Sequence, residues 1–124
     1  VAMTTTRPVP TGRGALAPAG ALFRGLGDLT RLALVQRLAA SPARVVDLAA
    51  DLQLAPSTVS SHLACLRECG LIDFRAQGRA SVYYLPHPEL IGLLVAAEAV
   101  LAATGSAVVL CPQFGTQSVA MDAR

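Results

Sequence analysis

Lysine is missing altogether: the ten basic residues of this 124-residue chain are all arginine, set against eight acidic residues and two histidines, for a net charge of +2. So small an excess excludes nucleic-acid binding through bulk charge. It leaves that role to individually placed arginines, whose planar fork grips phosphate and guanine better than an ammonium does. A GC-rich coding bias accounts for arginine in place of lysine without any functional demand. Tryptophan is also absent and aromatics make up 4% of the chain, so the 53% hydrophobic fraction is carried by alanine, leucine and valine. That mixture favours helices packed through small and branched side chains. Three cysteines are odd in number and wrongly spaced for a disulfide scaffold, and no secretory n-region and h-region opens the chain, so a cytoplasmic setting is expected. No phosphate-cradling glycine loop, paired-carboxylate motif or Ser/His/Asp set is present, which argues against an enzyme and against a small-molecule substrate.

The chain is long enough for one domain with a real core. Residues 1–14, with prolines, glycines and a threonine run, are expected to form a disordered leader. Residues 15–103 form the folded domain and 104–124 a C-terminal tail. A first helix is expected from Ala15 to Leu26, with Leu16, Ala19, Leu22, Phe23 and Leu26 on one face. Asp28 caps a second, which runs until Ser41-Pro42 stops it. Val45 to Leu52 and Pro56 to Cys69 then make two helices joined by a tight turn, a helix-turn-helix; Pro56 suits the first helical position and Gly70 the stop. Leu71 to Ala76 and Ala80 to Leu85 read as a β-hairpin with a basic tip at Gln77-Gly78-Arg79. Glu89 to Ala103 is a long apolar helix, wider in its apolar surface than one small domain can cover, so homodimerisation is expected. Residues 90–110 match a membrane span in length, roughly 20 residues. Glu98 near the middle and the break at Thr104-Gly105-Ser106 argue against that reading, and no membrane association is expected.

Within the fourth helical segment Val59, Leu63 and Leu66 form the apolar stripe, and Ser57, Thr58, Ser60, Ser61 and His62 fall off it. Small hydroxyl and imidazole side chains at the start of the second helix of a helix-turn-helix permit close approach to a major groove, where they dock more than they discriminate. Taken alone they are an ordinary polar face; the hairpin that follows supplies a wing and favours DNA. Arg75 and Arg79 flank the hairpin tip and suit phosphate or minor-groove contact. Arg24, Arg31 and Arg67 read equally as structural residues or general phosphate contacts.

Cys65 and Cys69 sit one helical turn apart on a flank outside the apolar stripe. A lone buried cysteine behaves as a small hydrophobe, but a pair at this spacing off the core can chelate one ion. A disulfide between them is awkward, because β-carbons about 5–6 Å apart exceed the bridging distance. Cys111, followed by Pro112 after the last helix, adds a third sulfur. Three thiolates suit Cd(II) or Pb(II) and also As(III), whereas Zn(II) wants a fourth ligand. His62 and His87 fit DNA contact or capping better than ligation.

These elements together resemble the ArsR/SmtB family of winged-helix metal-sensing repressors. The resemblance is carried by Leu26 to Leu32, similar to the family's "L-x-D-P-T-R-L"; by Ser57 to Ile72, similar to its recognition helix and exit; and by Gly78-Arg79 with Val82 to Leu85, similar to its wing. Leu29 replaces the usual proline, and Ala55 stands where a capping Ser or Thr would help. Val45-Val46-Asp47 occupies the family's "C-V-C" position, and the terminal helix lacks the Asp/His/His/Glu pattern of zinc and cobalt sensors. Cys65, Cys69 and Cys111 instead resemble the cadmium- and lead-sensing CmtR branch. That resemblance implies a mainly α winged helix-turn-helix with a β-hairpin, dimerising through its N- and C-terminal helices. It implies a repressor that binds double-stranded operator DNA as a homodimer and releases it when a soft metal binds, with Cys111 contributed by the partner subunit. The residues alone leave open closure within one subunit, and a thiol-based redox or reactive-sulfur sensor or an arsenite sensor remains the alternative.

Overall fold

The computed structural model describes Pro8, Val9 and residues 11–110. A 3-10 turn at Arg13–Leu16 leads into α1 (Ala17–Leu26), so helical structure begins two residues earlier than the sequence pattern suggests. Pro18 lies in the first turn of α1, where a missing N–H costs no hydrogen bond. Asp28 starts α2 (Leu29–Ala40) by accepting from the backbone N–H of Arg31 at 3.0 Å, which satisfies one of the orphan donors of a helix start.

Past Ser41-Pro42 the chain forms a two-residue strand, β1 (Ala43–Arg44), which hydropathy does not reveal because two residues carry no periodicity. The next helix, α3 (Val45–Leu52), opens with the Arg44 N–H donating to Asp47 at 3.2 Å. It closes at Gln53, a non-glycine residue with φ of 58°. Pro56 then begins α4 (Pro56–Glu68); Ala55 offers no side-chain cap, as its identity requires. Cys69 caps α4 rather than lying within it. Gly70, at φ of 78°, reverses the chain so that Leu71 N–H reaches the Leu66 carbonyl at 3.0 Å and Gly70 N–H the Arg67 carbonyl at 2.9 Å. That pair of bonds is the Schellman arrangement, which favours glycine at the left-handed position.

The wing is shorter than its sequence pattern, with β2 (Asp73–Gln77) and β3 (Ala80–Tyr84) paired antiparallel and Gln77 opposite Ala80. Its tip is therefore a two-residue turn, Gly78-Arg79. Gly78 is at φ of 65° while Arg79 is not left-handed, the type II′ pattern whose twist matches paired strands. β1 joins the other edge of β3, with Ala43 opposite Tyr83, giving the strand order β1-β3-β2. Finally α5 (Glu89–Ala103) follows the wing and contributes Leu90 and Leu94 to the core.

The core is one cluster. Leu34, Val35 and Leu38 of α2 meet Leu48 of α3, Val59, Leu63 and Leu66 of α4, Ile72, and Leu90 and Leu94 of α5. The apolar residues predicted on the first helix face do not all find partners: Leu16 is 62% and Phe23 59% exposed, as are 62% of Val100 and 46% of Val95 on α5. Among the described residues no helix is long and apolar enough to cross a membrane.

Candidate functional site

The stripe of α4 buries Val59, Leu63 and Leu66 completely, and this sets everything else on that helix. Ser57, Thr58, Ser60 and Ser61 all face solvent, whereas His62 is half-buried. The imidazole turns toward the start of α2, with Nδ1 3.5 Å from the Arg31 guanidinium and 3.9 Å from the Asp28 carboxylate. Asp28 is held below the usual carboxylate range, first by the backbone N–H of Arg31 and then by the nearby Arg31 and His62 charges.

Arg31 is a structural residue. Its Nε donates to the Gly25 carbonyl at 2.8 Å and its terminal nitrogen to the Arg24 carbonyl at 3.3 Å. It thus binds the last carbonyls of α1, where a helix leaves acceptors unfilled and favours positive charge. Arg67 is structural as well: it pairs with Asp73 at 3.3 Å and lies 4.4 Å over the Phe74 ring. Asp73 is depressed mainly by the Phe74 N–H and secondarily by Arg67. Of the arginines that the sequence could not sort, these two tie the recognition helix to its surroundings.

Both wing arginines are exposed. Arg75 sits 5.2 Å over the Tyr84 ring, which stiffens its stem, and Arg79 occupies the turn itself. Arg44 was not singled out from the sequence. The β1 pairing sets it opposite Val82 of the wing, and in an open groove with Val46, Ala80 and Ser81. Only the unforeseen strand brings it there. It also holds Asp47 low, through its backbone N–H first and its side chain second.

Cys65 and Cys69 are both free thiols, the first half-buried and the second exposed. The Cys69 N–H donates to the Cys65 carbonyl at 3.2 Å, so the helical register of the pair persists to the cap and both side chains leave the same flank. Cys69 Sγ lies 4.0 Å from the Ala21 carbonyl of α1. Cys111 falls outside the described residues, as do all positions after Leu110. His87 faces an open groove with Arg67, Glu68 and Asp73. Among the described residues no group of three His, Cys, Asp or Glu side chains is placed to hold a metal ion.

Comparison with known proteins agrees with this architecture. Residues 28–73, from the α2 cap to the start of the wing, match the bacterial regulatory protein, arsR family. The HTH-type transcriptional repressor SmtB of Mycobacterium tuberculosis is 33% identical over 94 residues, 76% of this chain and 70% of that protein. The HTH-type transcriptional regulator CmtR of M. tuberculosis is 41% identical over 69 residues; the match spans 56% of this chain and only 58% of that regulator. The NMR structure of the cadmium metal-sensor CmtR superimposes with a TM-score of 0.55 at 38% identity, covering 62% of this chain and 80% of that one. A homodimeric winged helix-turn-helix domain, Mb0332 of Mycobacterium bovis, shares the fold with a TM-score of 0.62 over 72% of this chain and 87% of that one, at 21% identity. With the helix-turn-helix, the wing and the SmtB match all concurring, the chain belongs to the arsR family of bacterial regulatory proteins, as a winged helix-turn-helix transcriptional regulator.

Proposed function

We propose that the protein is a metal-responsive repressor: a homodimer that binds operator DNA and releases it when Cd(II) or Pb(II) is held by Cys65, Cys69 and Cys111. The observation that carries this reading is the free Cys65/Cys69 pair, in helical register on the recognition helix and outside its buried stripe. Two sulfurs on adjacent turns fit a soft ion; As(III) also takes three thiolates, whereas Zn(II) needs a fourth ligand. When bound, such an ion cross-links thiolates after displacing their protons, so acid weakens binding.

The chain's own residues do the rest. Ser57, Thr58, Ser60 and Ser61 present a small polar surface to the major groove, with His62 at its inner edge, and Arg75 and Arg79 of the wing meet phosphate. The exposed apolar residues of α1 and α5 support pairing of two subunits, which spaces the two recognition helices for successive grooves of a palindrome. Cys69 rests on α1, and Arg31 joins the end of α1 to His62. Drawing Cys69 into a thiolate cluster therefore shifts α1 against α4, and with it the angle between the paired recognition helices. A coupling of about 3 kcal/mol changes operator affinity by on the order of 100-fold.

The test titrates Cd(II) and Pb(II) into the reduced protein bound to DNA from upstream of its own coding sequence, following fluorescence anisotropy and ultraviolet sulfur-to-metal absorption together. Absorption that rises with DNA release is the expected result. Absence of DNA binding in both states overturns the repressor reading. Release by peroxide, with no metal absorption, replaces the metal with thiol oxidation.

A further inference from the structure

The segment after α5 does not trail away from the body. Gly105, at φ of 85°, reverses the chain: Ser106 N–H reaches the Leu101 carbonyl at 2.8 Å and Gly105 N–H the Ala102 carbonyl at 3.2 Å, a second Schellman turn. Five residues later Leu110 is 6% exposed within the core cluster, whereas Val108 and Val109 before it are 51% and 40% exposed. The peptide group joining Val109 to Leu110 is gripped at both ends. Gln36 of α2 donates its Nε2–H to the Val109 carbonyl at 2.9 Å, and the Leu110 N–H donates to the Glu98 carboxylate of α5.

An irregular segment has no ladder to satisfy its backbone, so water is the usual partner. Here two long polar side chains from two different helices supply both partners to one peptide unit, and each gives up rotamer freedom to do so. Glu98 is the acid that interrupts the apolar run of α5. A solvent-facing role would place it anywhere on that helix; it stands instead where the returning chain needs an acceptor.

We propose that Gln36 and Glu98 form a latch that fixes the point from which the C-terminal tail leaves the domain, and so position Cys111. Cys111 follows Leu110 directly in sequence, so an anchored Leu110 leaves a short tether between the domain and that thiol, and a short tether raises effective concentration at a thiolate site. The latch stands on the hydrogen bonds alone; its consequence for metal rests on the assignment of Cys111 as third thiolate. Gln36 and Glu98 are positioning residues and touch no metal themselves.

The experiment uses the full reduced chain and the variants Gln36→Ala, Glu98→Ala and Glu98→Gln, with Cys111→Ser as reference. Amide hydrogen exchange at Leu110, measured by NMR without metal, reads the latch. Exchange is expected to accelerate by on the order of tenfold in Glu98→Ala and to stay slow in Glu98→Gln, whose amide oxygen still accepts. Cd(II) titration by ultraviolet absorption reads the consequence: affinity weakens by roughly tenfold in Glu98→Ala and Gln36→Ala, toward that of Cys111→Ser, and Glu98→Gln restores it. A Leu110 amide that exchanges equally fast in all of these proteins overturns the latch. A protected amide, with Cd(II) affinity equal in wild type and Glu98→Ala, overturns the positioning role. If Cys111→Ser binds Cd(II) with unchanged affinity and spectrum, the three-thiolate assignment fails and the positioning role with it, while protection of Leu110 still upholds the latch. Should Glu98→Ala not fold, Gln36→Ala carries the same comparison from the other end of the peptide.

Discussion

Cys69 packs directly on Gly25: a β-carbon added to that glycine would stand 3.6 Å from the Cys69 sulfur and 3.8 Å from a methyl of Leu71. Both are ordinary van der Waals separations, so alanine fits where a larger side chain collides. The thiol and the end of α1 are therefore in contact across 44 residues of sequence.

Gly25→Ala is expected to fold and to gain up to about 1 kcal/mol from helix propensity. The new methyl shields the sulfur, so iodoacetamide should alkylate Cys69 more slowly relative to Cys65, as read by peptide mass spectrometry. An unchanged ratio of the two rates would contradict the contact.

Arg31→Lys removes the fork that holds two α1 carbonyls while keeping the charge. A loss of about 1–2 kcal/mol is expected in urea denaturation, from hydrogen bonds that an ammonium cannot replace together. The recognition surface stays in place, so operator binding under strongly stabilising conditions should fall little.

Buried and exposed positions of α4 should separate cleanly. Leu63→Ala opens a cavity in the core and costs about 2–5 kcal/mol, whereas Ser57→Ala stays within about 0.5 kcal/mol of wild type and weakens DNA binding. Equal effects of the two on the urea midpoint would mean that the stripe is misassigned.

Arg79→Ala is expected to weaken binding uniformly across DNA sequences and to lower the slope of log affinity against log salt by about one. Loss of discrimination between operator variants, with the slope unchanged, would show instead that Arg79 reads bases.

Acid should destabilise the fold through Asp28, Asp47 and Asp73, each held below its ordinary value of 3.8 chiefly by a backbone N–H. A depressed folded value means that the unfolded chain binds more protons, so this stability is present above that ordinary value and is lost as pH falls through the folded ones. The urea midpoint should drop from about pH 5 to about pH 3, and less steeply in Asp28→Asn, whose amide still caps α2. A slope identical to wild type would remove Asp28 from the account.

The order and type of the elements were legible because their signals are local. Asp28 announces α2, Pro56 and Gly70 bracket α4, and Gly78 marks the wing turn. Each acts within four residues of itself, through a cap, a missing N–H or a left-handed backbone. The thiol pair and the buried stripe were legible for the same reason, since spacing along a regular helix sets which side chains share a face. β1 escaped notice because its pairing partner, not its own two residues, makes it a strand.

By itself, then, the sequence determined a winged helix-turn-helix and put two cysteines on the flank of its recognition helix. Tertiary structure alone decided which arginines are scaffold: Arg31 is spent on α1 and His62, Arg67 on Asp73 and Phe74, while Arg75 and Arg79 remain at the surface. It alone set Cys69 against α1 and closed Gln36 and Glu98 around one peptide of the returning tail. Gln36 and Val109 lie 73 residues apart, and no local rule links them. Their hydrogen bond exists because burial of Leu110 in a core built by four helices brings that stretch of backbone to a surface where it must be satisfied.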